Sequence, residues 1–425
     1  MIRLLSEGSC GKETNLESQE IYMRAQMLDL GRKIIEKVLA EIEVETTGKF
    51  AEERKYKLYG YRSRKLLTLL GIVEIKRKYY YNQQEHKSRI PFDEKLGIME
   101  SSYSCGIQKV VSRVGAYMPF DTSGQQLREL TGIIIDAKTV ERITKQLGTE
   151  VQRYNQGEDK RMPDRAEISK QTMYLCMDGT CVPMNKEALR GRKGKQTEEA
   201  KTREVKLGCI FTQIGVNPEG YPVREAESTT YVGGIINAET FGRQIYDESN
   251  NRRAEQARRL CIIGDGAAWI WNIAEEYFPG ATQIVDLYHA REHYWNVARS
   301  FFYEGSKMLY IWTEKRKKEL DEGNVSKVIK AIKGLKSKTE SQRSVVEREI
   351  AYFNKHKYRM RYNYFRKNKF FVGSGVLEAG CKSVIGQRLK QSGMHWSLEG
   401  ADSVIALRCC MYSNQWEDFW EKRAA

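Results

Sequence analysis

The chain of 425 residues has little of what marks membrane, secreted or linker-rich proteins. It contains only seven prolines, which argues against long proline-rich linkers. No apolar run approaches the roughly 20 residues that a membrane-spanning helix needs, and the best, residues 66–75, is interrupted by Thr68 and Gly71. The first residues hold no apolar stretch long enough for a secretion signal. Nine cysteines without regular spacing predict reduced thiols in a cytosolic protein rather than a disulfide framework.

The chain is rich in charged residues, and positive charges are in excess. It carries 71 Lys and Arg against 56 Asp and Glu, a formal net charge of +15. With 40% hydrophobic residues the composition is that of a globular protein, and the length suits two or three domains of about 150 residues. The positive excess favours a polyanionic partner but does not identify a reaction.

The first hundred residues predict one long helix and a basic hairpin. Apolar residues recur at intervals of three and four over residues 20–50, the pattern of an amphipathic helix. A basic, aromatic stretch follows at residues 57–61 and 64–81, and Gly71 marks the turn between its two arms.

Three short helical patterns follow, and the last two are typical of a helix–turn–helix. Gly132 would end one helix, and Asp136 or Thr139 would begin the next. A plain helical connector explains the same pattern equally well, because helix–turn–helix signatures have many false positives. The three patterns cover residues 107–117, 123–130 and 137–146.

The second half of the chain predicts an α/β region interrupted by helices. Three strands in succession, then a helix, strand, helix, strand and helix imply a mixed sheet covered by helices. After residue 298 the strand patterns stop, and residues 300–368 are charged, aromatic and helical. The five strand patterns cover residues 173–178, 204–215, 221–230, 260–265 and 281–286.

Three aspartates end strand patterns in this region. Asp178, Asp265 and Asp286 each follow apolar residues, and any one alone is most simply a turn residue or a helix cap. Three at one sheet edge would repel one another unless a divalent cation lay between them. Glu378 is a fourth acidic candidate, on a helix whose glycines permit close packing against a sheet. Lys382 follows on the same helix and could meet a phosphate.

These residues carry a resemblance to DDE-type transposases of bacterial insertion sequences, specifically the ISKra group, which is related to Mutator-like transposases. The similarity is specific from about residue 173 to 423 and looser over residues 61–148. It implies an RNase H-like mixed-sheet catalytic core with an α-helical insertion, preceded by helical, helix–turn–helix-like and small β DNA-binding modules. The matching segments are residues 177–180 (MDGT), 203–208 (REVKLG), 264–267 (GDGA), 278–281 (FPGA), 284–290 (IVDLYHA), 373–380 (GSGVLEAG) and 389–394 (LKQSGM).

The resemblance implies a catalytic, metal-binding triad of Asp178, a second aspartate and Glu378. The second acid of an RNase H-like sheet ends the fourth strand, which favours Asp265 over Asp286. Asp286, His289 and Lys382 would then support the site. Asp178 would bridge two Mg²⁺ ions about 3.5–4 Å apart that serve strand cleavage and strand transfer. Mn²⁺ could replace Mg²⁺ at an all-oxygen site.

The implied partner is double-stranded DNA, both the terminal inverted repeats and the target, bound by a homo-oligomer in the bacterial cytoplasm and not by a membrane protein. Residues 190–206 form a basic run, and residues 351–370 hold seven Lys or Arg and seven Tyr or Phe. A solvated basic face explains either segment as well. The expected DNA-contacting residues are Arg190, Arg192, Lys193, Lys357, Arg359, Arg361, Arg366, Arg388 and Lys390.

The expected domain order alternates binding and catalytic segments. The segments are an N-terminal helical part (1–56), a basic β-hairpin module (57–97), a helix–turn–helix-like region with a linker (98–165), the first part of the catalytic core (166–299), the helical insertion (300–372) and the rest of the core (373–425).

Two other functions remain open from the sequence. One is a DNA-binding protein of transposase origin whose nuclease has decayed. The other is a zinc metalloprotease, because residues 289–293 match the HxxEH pattern and two histidines four apart on a helix can share a metal. Short patterns of this kind match by chance, so His293 is expected at a helix surface and Glu292 in an ordinary ion pair.

Overall fold

A computed structural model describes residues 15–50, 55–99, 101–156, 171–194 and 199–424. It divides into two compact units, Met1–Thr144 with Trp420–Ala425, and Lys145–Phe419. The predicted border between residues 165 and 166 lies outside the described residues. Among the described helices, none is long and apolar enough to cross a membrane.

The first unit begins with the predicted helix and hairpin. Helix α1 (Leu16–Phe50) precedes β1 (Lys57–Thr68) and β2 (Gly71–Asn82), which pair antiparallel, and β3 (Lys87–Arg89) extends the sheet in the order β1-β2-β3. Gly71 has φ +108°, a backbone conformation that glycine adopts without strain.

Side chains of α1 cover the otherwise open edge of β2. Glu36 accepts a hydrogen bond from the backbone N–H of Glu74 at 3.1 Å, and Glu43 accepts one from Lys78 at 2.9 Å. An uncovered strand edge would be a site for aggregation, so these carboxylates protect the sheet. The apolar core beneath the sheet consists of Leu39, Leu66, Val73, Ile75, Phe92 and Ile98.

A buried carboxylate neutralises part of the basic hairpin. Arg64 lies 2.9 Å from Asp93 Oδ2, and Arg77 pairs with the same oxygen. The single carboxylate offsets one of the two positive charges, and because both arginines are turned toward it, the hairpin exposes fewer free cations than its sequence suggests. Its exposed residues include Tyr59 and Tyr61.

Four helices follow: α2 (Pro91–Lys95), α3 (Cys105–Tyr117), α4 (Phe120–Thr131) and α5 (Ala137–Gln156). The predicted signals between α4 and α5 are confirmed. Gly132 ends α4 in the left-handed conformation at φ +75°, and Asp136 Oδ1 accepts the N–H of Thr139 at 2.9 Å.

The second unit is an α/β structure built on a mixed six-stranded sheet. The order is β6-β5-β4-β8-β9, with β7 also paired to β5. Strand β4 is antiparallel to β5 and parallel to β8, which is parallel to β9. This topology is consistent with the RNase H-like core that the resemblance implies. The strands are β4 (Thr172–Pro183), β5 (Thr202–Val216), β6 (Pro222–Arg224), β7 (Thr230–Gly234), β8 (Arg259–Gly264) and β9 (Thr282–Val285).

The third predicted strand is in fact two short ones. A 3₁₀ turn at Ala226–Ser228 separates β6 from β7. The Ser228 hydroxyl accepts the backbone N–H of Thr212 on β5 at 3.0 Å, so a side chain replaces the ladder partner at the break.

Helices α6 (Ala238–Asn251), α7 (Ala268–Tyr277) and α8 (Leu287–Phe301) alternate with the later strands. The predicted helical insertion follows α8. It contains α9 (Lys307–Asp321), α10 (Val325–Lys333), α11 (Glu340–His356) and α12 (Tyr362–Lys367).

The chain then forms the helix that carries Glu378. Helix α13 (Gly375–Gly380) continues into a π-helical turn at Cys381–Gly386 and a short α14 (Gln387–Leu389). Helices α15 (Leu398–Tyr412) and α16 (Trp416–Ala424) complete the described chain.

Candidate active site

Asp178 and Asp265 lie on neighbouring parallel strands of the second unit. The last registered pair between β4 and β8 is Met177 with Gly264, and each aspartate is the next residue. The predicted pairing of these two acids at one place in the sheet therefore has a direct cause in strand register.

Asp178 does not end its strand, contrary to the sequence-based expectation. Strand β4 runs five residues further, to Pro183, because residues 178–183 continue to pair with β5 through Asp178–Leu207 and the positions that follow. The carboxylate thus stands on an extended segment and not on a terminal turn. Its Oδ1 accepts the N–H of Gly179 at 2.7 Å, and its Oδ2 lies 3.8 Å from Cys381 Sγ.

Burial raises the pKa of Asp178 above its usual value, and the negative charge of Asp265 raises it further. The Gly179 N–H, the neighbouring His289 imidazole and the Cys381 thiol act in the opposite direction and lower this pKa. The fold therefore holds this carboxyl in a place that disfavours its charge, which makes Asp178 a candidate functional group.

Asp265 is held at a tight turn directly after β8. Its Oδ1 accepts the N–H of Ala267 at 2.8 Å, and its backbone carbonyl accepts the hydroxyl of Tyr352 at 2.8 Å. Gly266 has φ +115°, and a Cβ there would lie 2.6 Å from Tyr352 Cε2, so the turn requires glycine. Within the described chain no group donates to Asp265 Oδ2, which leaves this oxygen available to a ligand.

Asp286 is a buried helix cap. Its side chain is fully shielded from solvent, and Oδ1 accepts the N–H groups of Tyr288 at 2.7 Å and His289 at 2.9 Å. Its Oδ2 accepts the N–H of Ser374, one residue before α13. Asp286 therefore joins the start of α8 to the start of the helix that carries Glu378.

Glu378 is exposed on α13, which packs against β4 and β5. A Cβ at Gly380 would lie 2.5 Å from Tyr231 Cε1, so glycine permits the close packing that the sequence predicts. Cys381 follows Glu378 by three residues on the same helical face and contacts Asp178. The π-helical turn that begins at Cys381 is a distortion often found at functional sites.

The two histidines of the HxxEH segment have different partners. His289 Nδ1 lies 3.5 Å from Glu292, so this glutamate has a partner on its own helix. His293 is not a plain surface residue, because its Nδ1 pairs with the buried Glu349 of α11 and its ring stacks on Tyr352 at 3.4 Å. This arrangement gives no support to a shared zinc ion.

The basic residues that follow Glu378 in the chain divide into exposed and buried groups. Lys390 donates to the hydroxyl of Thr180 at 2.5 Å, two residues beyond Asp178 on β4, and Lys382 is exposed. Arg388 is 1% exposed, and its guanidinium packs 4.7 Å from the Trp396 ring. Burial and the charge of Arg408 lower the pKa of Arg388 to about 10. Because Arg388 does not face solvent, it is removed from the expected DNA-contacting set.

The other expected DNA-contacting residues lie in two surface segments. Arg190, Arg192 and Lys193 are exposed in the loop between β4 and β5, whose residues 195–198 lie outside the described ranges. Lys357, Arg361 and Arg366 are exposed near α12. Arg359 is partly used internally, since it lies 3.0 Å from Glu275 and stacks 4.6 Å from the Trp271 ring.

The paired aspartates suit a hard divalent cation. In the described residues no three Asp, Glu, His or Cys side chains stand close enough together to hold a metal ion. Two carboxylates nevertheless meet the usual demand of Mg²⁺, which keeps several waters and takes further oxygens from substrate phosphates. The raised pKa of Asp178 beside Asp265 is the observation that fits such a cation.

A family model described as an uncharacterised protein family (UPF0236) matches residues 12–418, nearly the whole chain. The chain belongs to the UPF0236 family. No curated protein matches this UPF0236 chain. Among solved structures, the Drosophila P element transposase strand transfer complex is aligned at a TM-score of 0.26 and 8% identity, over 77% of this chain and 83% of that one.

Sequence reasoning missed two residues that contact the site. Cys381 could have been found, because its spacing of three from Glu378 puts both on one face of a helix. No sequence pattern marks Tyr352 as a site residue, because its contact with Asp265 depends on how the insertion packs against the sheet.

The raised pKa of Asp178 predicts an unusual effect on stability. Above this pKa the metal-free wild type keeps an unfavourable charge, whereas Asp178→Asn has none and keeps the acceptor for Gly179. We expect Asp178→Asn to melt at a higher temperature than metal-free wild type at pH 7. The difference should shrink as the pH falls through the raised pKa, because Asp178 then becomes neutral. Thermal melts from pH 4 to pH 7 in EDTA measure it, and an advantage that grows on acidification would contradict it.

Proposed function

We propose that this UPF0236 protein is a DDE-type transposase that cleaves and transfers DNA strands at the ends of an insertion sequence, with Mg²⁺ as cofactor and Mn²⁺ as a substitute. Asp178 and Asp265, placed side by side by the register of β4 and β8, are the observation that carries the proposal. In this interpretation the second unit is an RNase H-like core with a helical insertion, in a protein of the bacterial cytoplasm.

Asp178 and Asp265 would hold the cation, and Glu378 would join them from α13. A cation bound there would act as a Lewis acid on the scissile phosphate and would lower the pKa of the attacking water. Lys390, fixed against Thr180, would orient a phosphate beside Asp178, with Lys382 next to it. His289 would moderate the negative charge of the site.

Exposed cations are needed because a carboxylate centre alone repels DNA. We propose that the exposed basic residues of the loop between β4 and β5, and those near α12, contact the DNA duplex. Tyr364 supports the second group, since Arg361 stacks 5.0 Å from its ring and the pair offers both a charge and an aromatic face. Recognition of inverted repeats and assembly of a homo-oligomer on DNA belong to the same proposal.

A DNA-binding protein without catalysis is the second candidate. The observation that favours it is the exposed position of Glu378, which has no side-chain hydrogen bond or ion pair within the described residues and joins no cluster of three acids there. The two candidates share DNA affinity and differ in cleavage.

The test is cleavage of a DNA fragment that carries the terminal inverted repeats, in Mg²⁺, in Ca²⁺ and in EDTA. We expect wild type to cut at the repeat ends only with Mg²⁺ or Mn²⁺, and Asp178→Asn and Glu378→Gln to lose cutting. Binding to the same fragment in EDTA should be unchanged in both variants, which separates catalysis from affinity. Binding without any metal-dependent cutting by wild type would favour the second candidate, and wild-type cutting by both variants would refute the assigned site.

A further inference from the structure

The helical insertion reaches the candidate site through one tyrosine. Tyr352 of α11 donates its hydroxyl to the backbone carbonyl of Asp265 at 2.8 Å. Its ring covers Gly266, where a Cβ would lie 2.6 Å from Cε2. The contact thus falls on the turn that directs the Asp265 carboxylate, and not on a distant part of the sheet.

Two imidazole rings contact Tyr352. The His293 ring of α8 stacks on it with centroids 3.4 Å apart and planes 15° apart, and the His356 ring lies 4.9 Å away. His293 is fixed in turn by Glu349, whose side chain is 1% exposed. Glu349 also lies 2.7 Å from Arg348. A buried carboxylate, an imidazole and a phenol therefore form a rigid connection from the insertion to the Asp265 turn.

We propose that Tyr352 is a positioning residue, which sets the Asp265 backbone and thereby the direction of the carboxylate that would hold the cation. This inference rests on the proposed function. In the described chain two hydrogen bonds hold Asp265. Its side chain accepts one from the Ala267 N–H, and its backbone carbonyl accepts one from the Tyr352 hydroxyl. Without the Tyr352 hydroxyl, the peptide unit between Asp265 and Gly266 is free to rotate. The Asp265 Oδ2 oxygen then changes its direction relative to Asp178. The insertion is accordingly part of the active site and not only a DNA-binding addition.

Tyr362 offers a matched control in the same insertion. Its hydroxyl donates to the backbone carbonyl of Val285 at 2.9 Å, one residue before Asp286. Tyr352→Phe removes a hydroxyl bonded to the backbone carbonyl of Asp265 itself, and Tyr362→Phe removes one bonded to the carbonyl of the residue before Asp286. The two variants differ in which aspartate the lost hydroxyl holds, so a general loss of stability affects both, whereas loss of cation positioning affects only Tyr352→Phe.

The test titrates Mn²⁺ into the metal-free full-length protein and measures free Mn²⁺ by electron paramagnetic resonance. We expect Tyr352→Phe to raise the dissociation constant roughly tenfold, at the low end of outer-shell effects on metal affinity. Tyr362→Phe should bind as wild type does, even where both variants melt at lower temperature. In cleavage assays, Tyr352→Phe should raise the Mg²⁺ concentration for half-maximal rate and leave the KM for DNA unchanged.

The outcomes separate this inference from the proposed function. Wild-type protein that binds no Mn²⁺ would overturn both, because there would be no cation to position. Wild-type binding together with unchanged binding by Tyr352→Phe would overturn the positioning role alone. Equal weakening in both variants would also overturn it, since the hydroxyl would then act only through stability.

Discussion

We expect Asp265→Asn to lower the rate of metal-dependent strand cleavage by more than about a hundredfold, because even changes to groups outside a metal's ligand shell cost up to about that much. The variant keeps the oxygen that accepts the Ala267 N–H, so the turn after β8 is preserved. What it loses is the charge that would bind the cation next to Asp178. The measurement is single-turnover cleavage of inverted-repeat DNA in Mg²⁺, with DNA affinity in EDTA and thermal melts as checks of the fold.

Two variants make this result specific. Asp247→Asn removes an exposed carboxylate of α6 and should cleave at the wild-type rate. Asp286→Asn tests the alternative second acid. If a folded Asp286→Asn protein were inactive while Asp265→Asn cleaved at nearly the wild-type rate, the roles of the two aspartates would be exchanged.

Asp286→Ala should produce the largest loss of stability among the four acidic residues of the candidate site. The substitution leaves the backbone N–H groups of Tyr288, His289 and Ser374 without their acceptor in a place with no solvent access. Unsatisfied buried groups of this kind cost about 1–3 kcal/mol each, and loss of one partner from a buried charged network about 3–5 kcal/mol. We expect a loss of about 3 kcal/mol or more, which lowers the Tm by on the order of 6–12 °C for a unit of this size.

The control is a helix-capping residue whose side chain is exposed to solvent. Asn237 is exposed and accepts one N–H, from Thr240 at 2.7 Å, at the start of α6. Asn237→Ala should cost about 1 kcal/mol. Similar melting temperatures for the two variants would show that Asp286 is an ordinary cap and does not anchor the helix that carries Glu378.

The elements of the fold were predictable where local chemistry decides them. Gly132 and Asp136 mark the end of α4 and the start of α5 in the sequence, and the structure uses both as expected. The length of β4 was not predictable, because residues 179–182 alternate weakly and gain their pairing from β5. The split at Ala226–Ser228 likewise depends on a tertiary hydrogen bond.

In the candidate site, too, some features were predictable from the sequence and others depend on tertiary packing. The resemblance was enough to predict that Asp178 and Asp265 share one place in the sheet, and each directly follows the last registered pair of the parallel strands β4 and β8. The burial of Arg388 against Trp396 could not be predicted, because a basic run looks the same whether it faces solvent or the core. The contact of Tyr352 with Asp265 spans 87 residues and has no local signature.

Locating the bound metal ion in a crystal is the most direct test of the proposed transposase site. Crystals of the full-length protein with inverted-repeat DNA and Mn²⁺ would show the ion by its anomalous scattering. We predict a peak between the carboxylates of Asp178 and Asp265, within about 2.0–2.3 Å of an oxygen of each, and none in Asp178→Asn crystals. Mn²⁺ bound at His289 and His293, or no ion beside Asp178 in a DNA-bound crystal, would contradict the proposed transposase site.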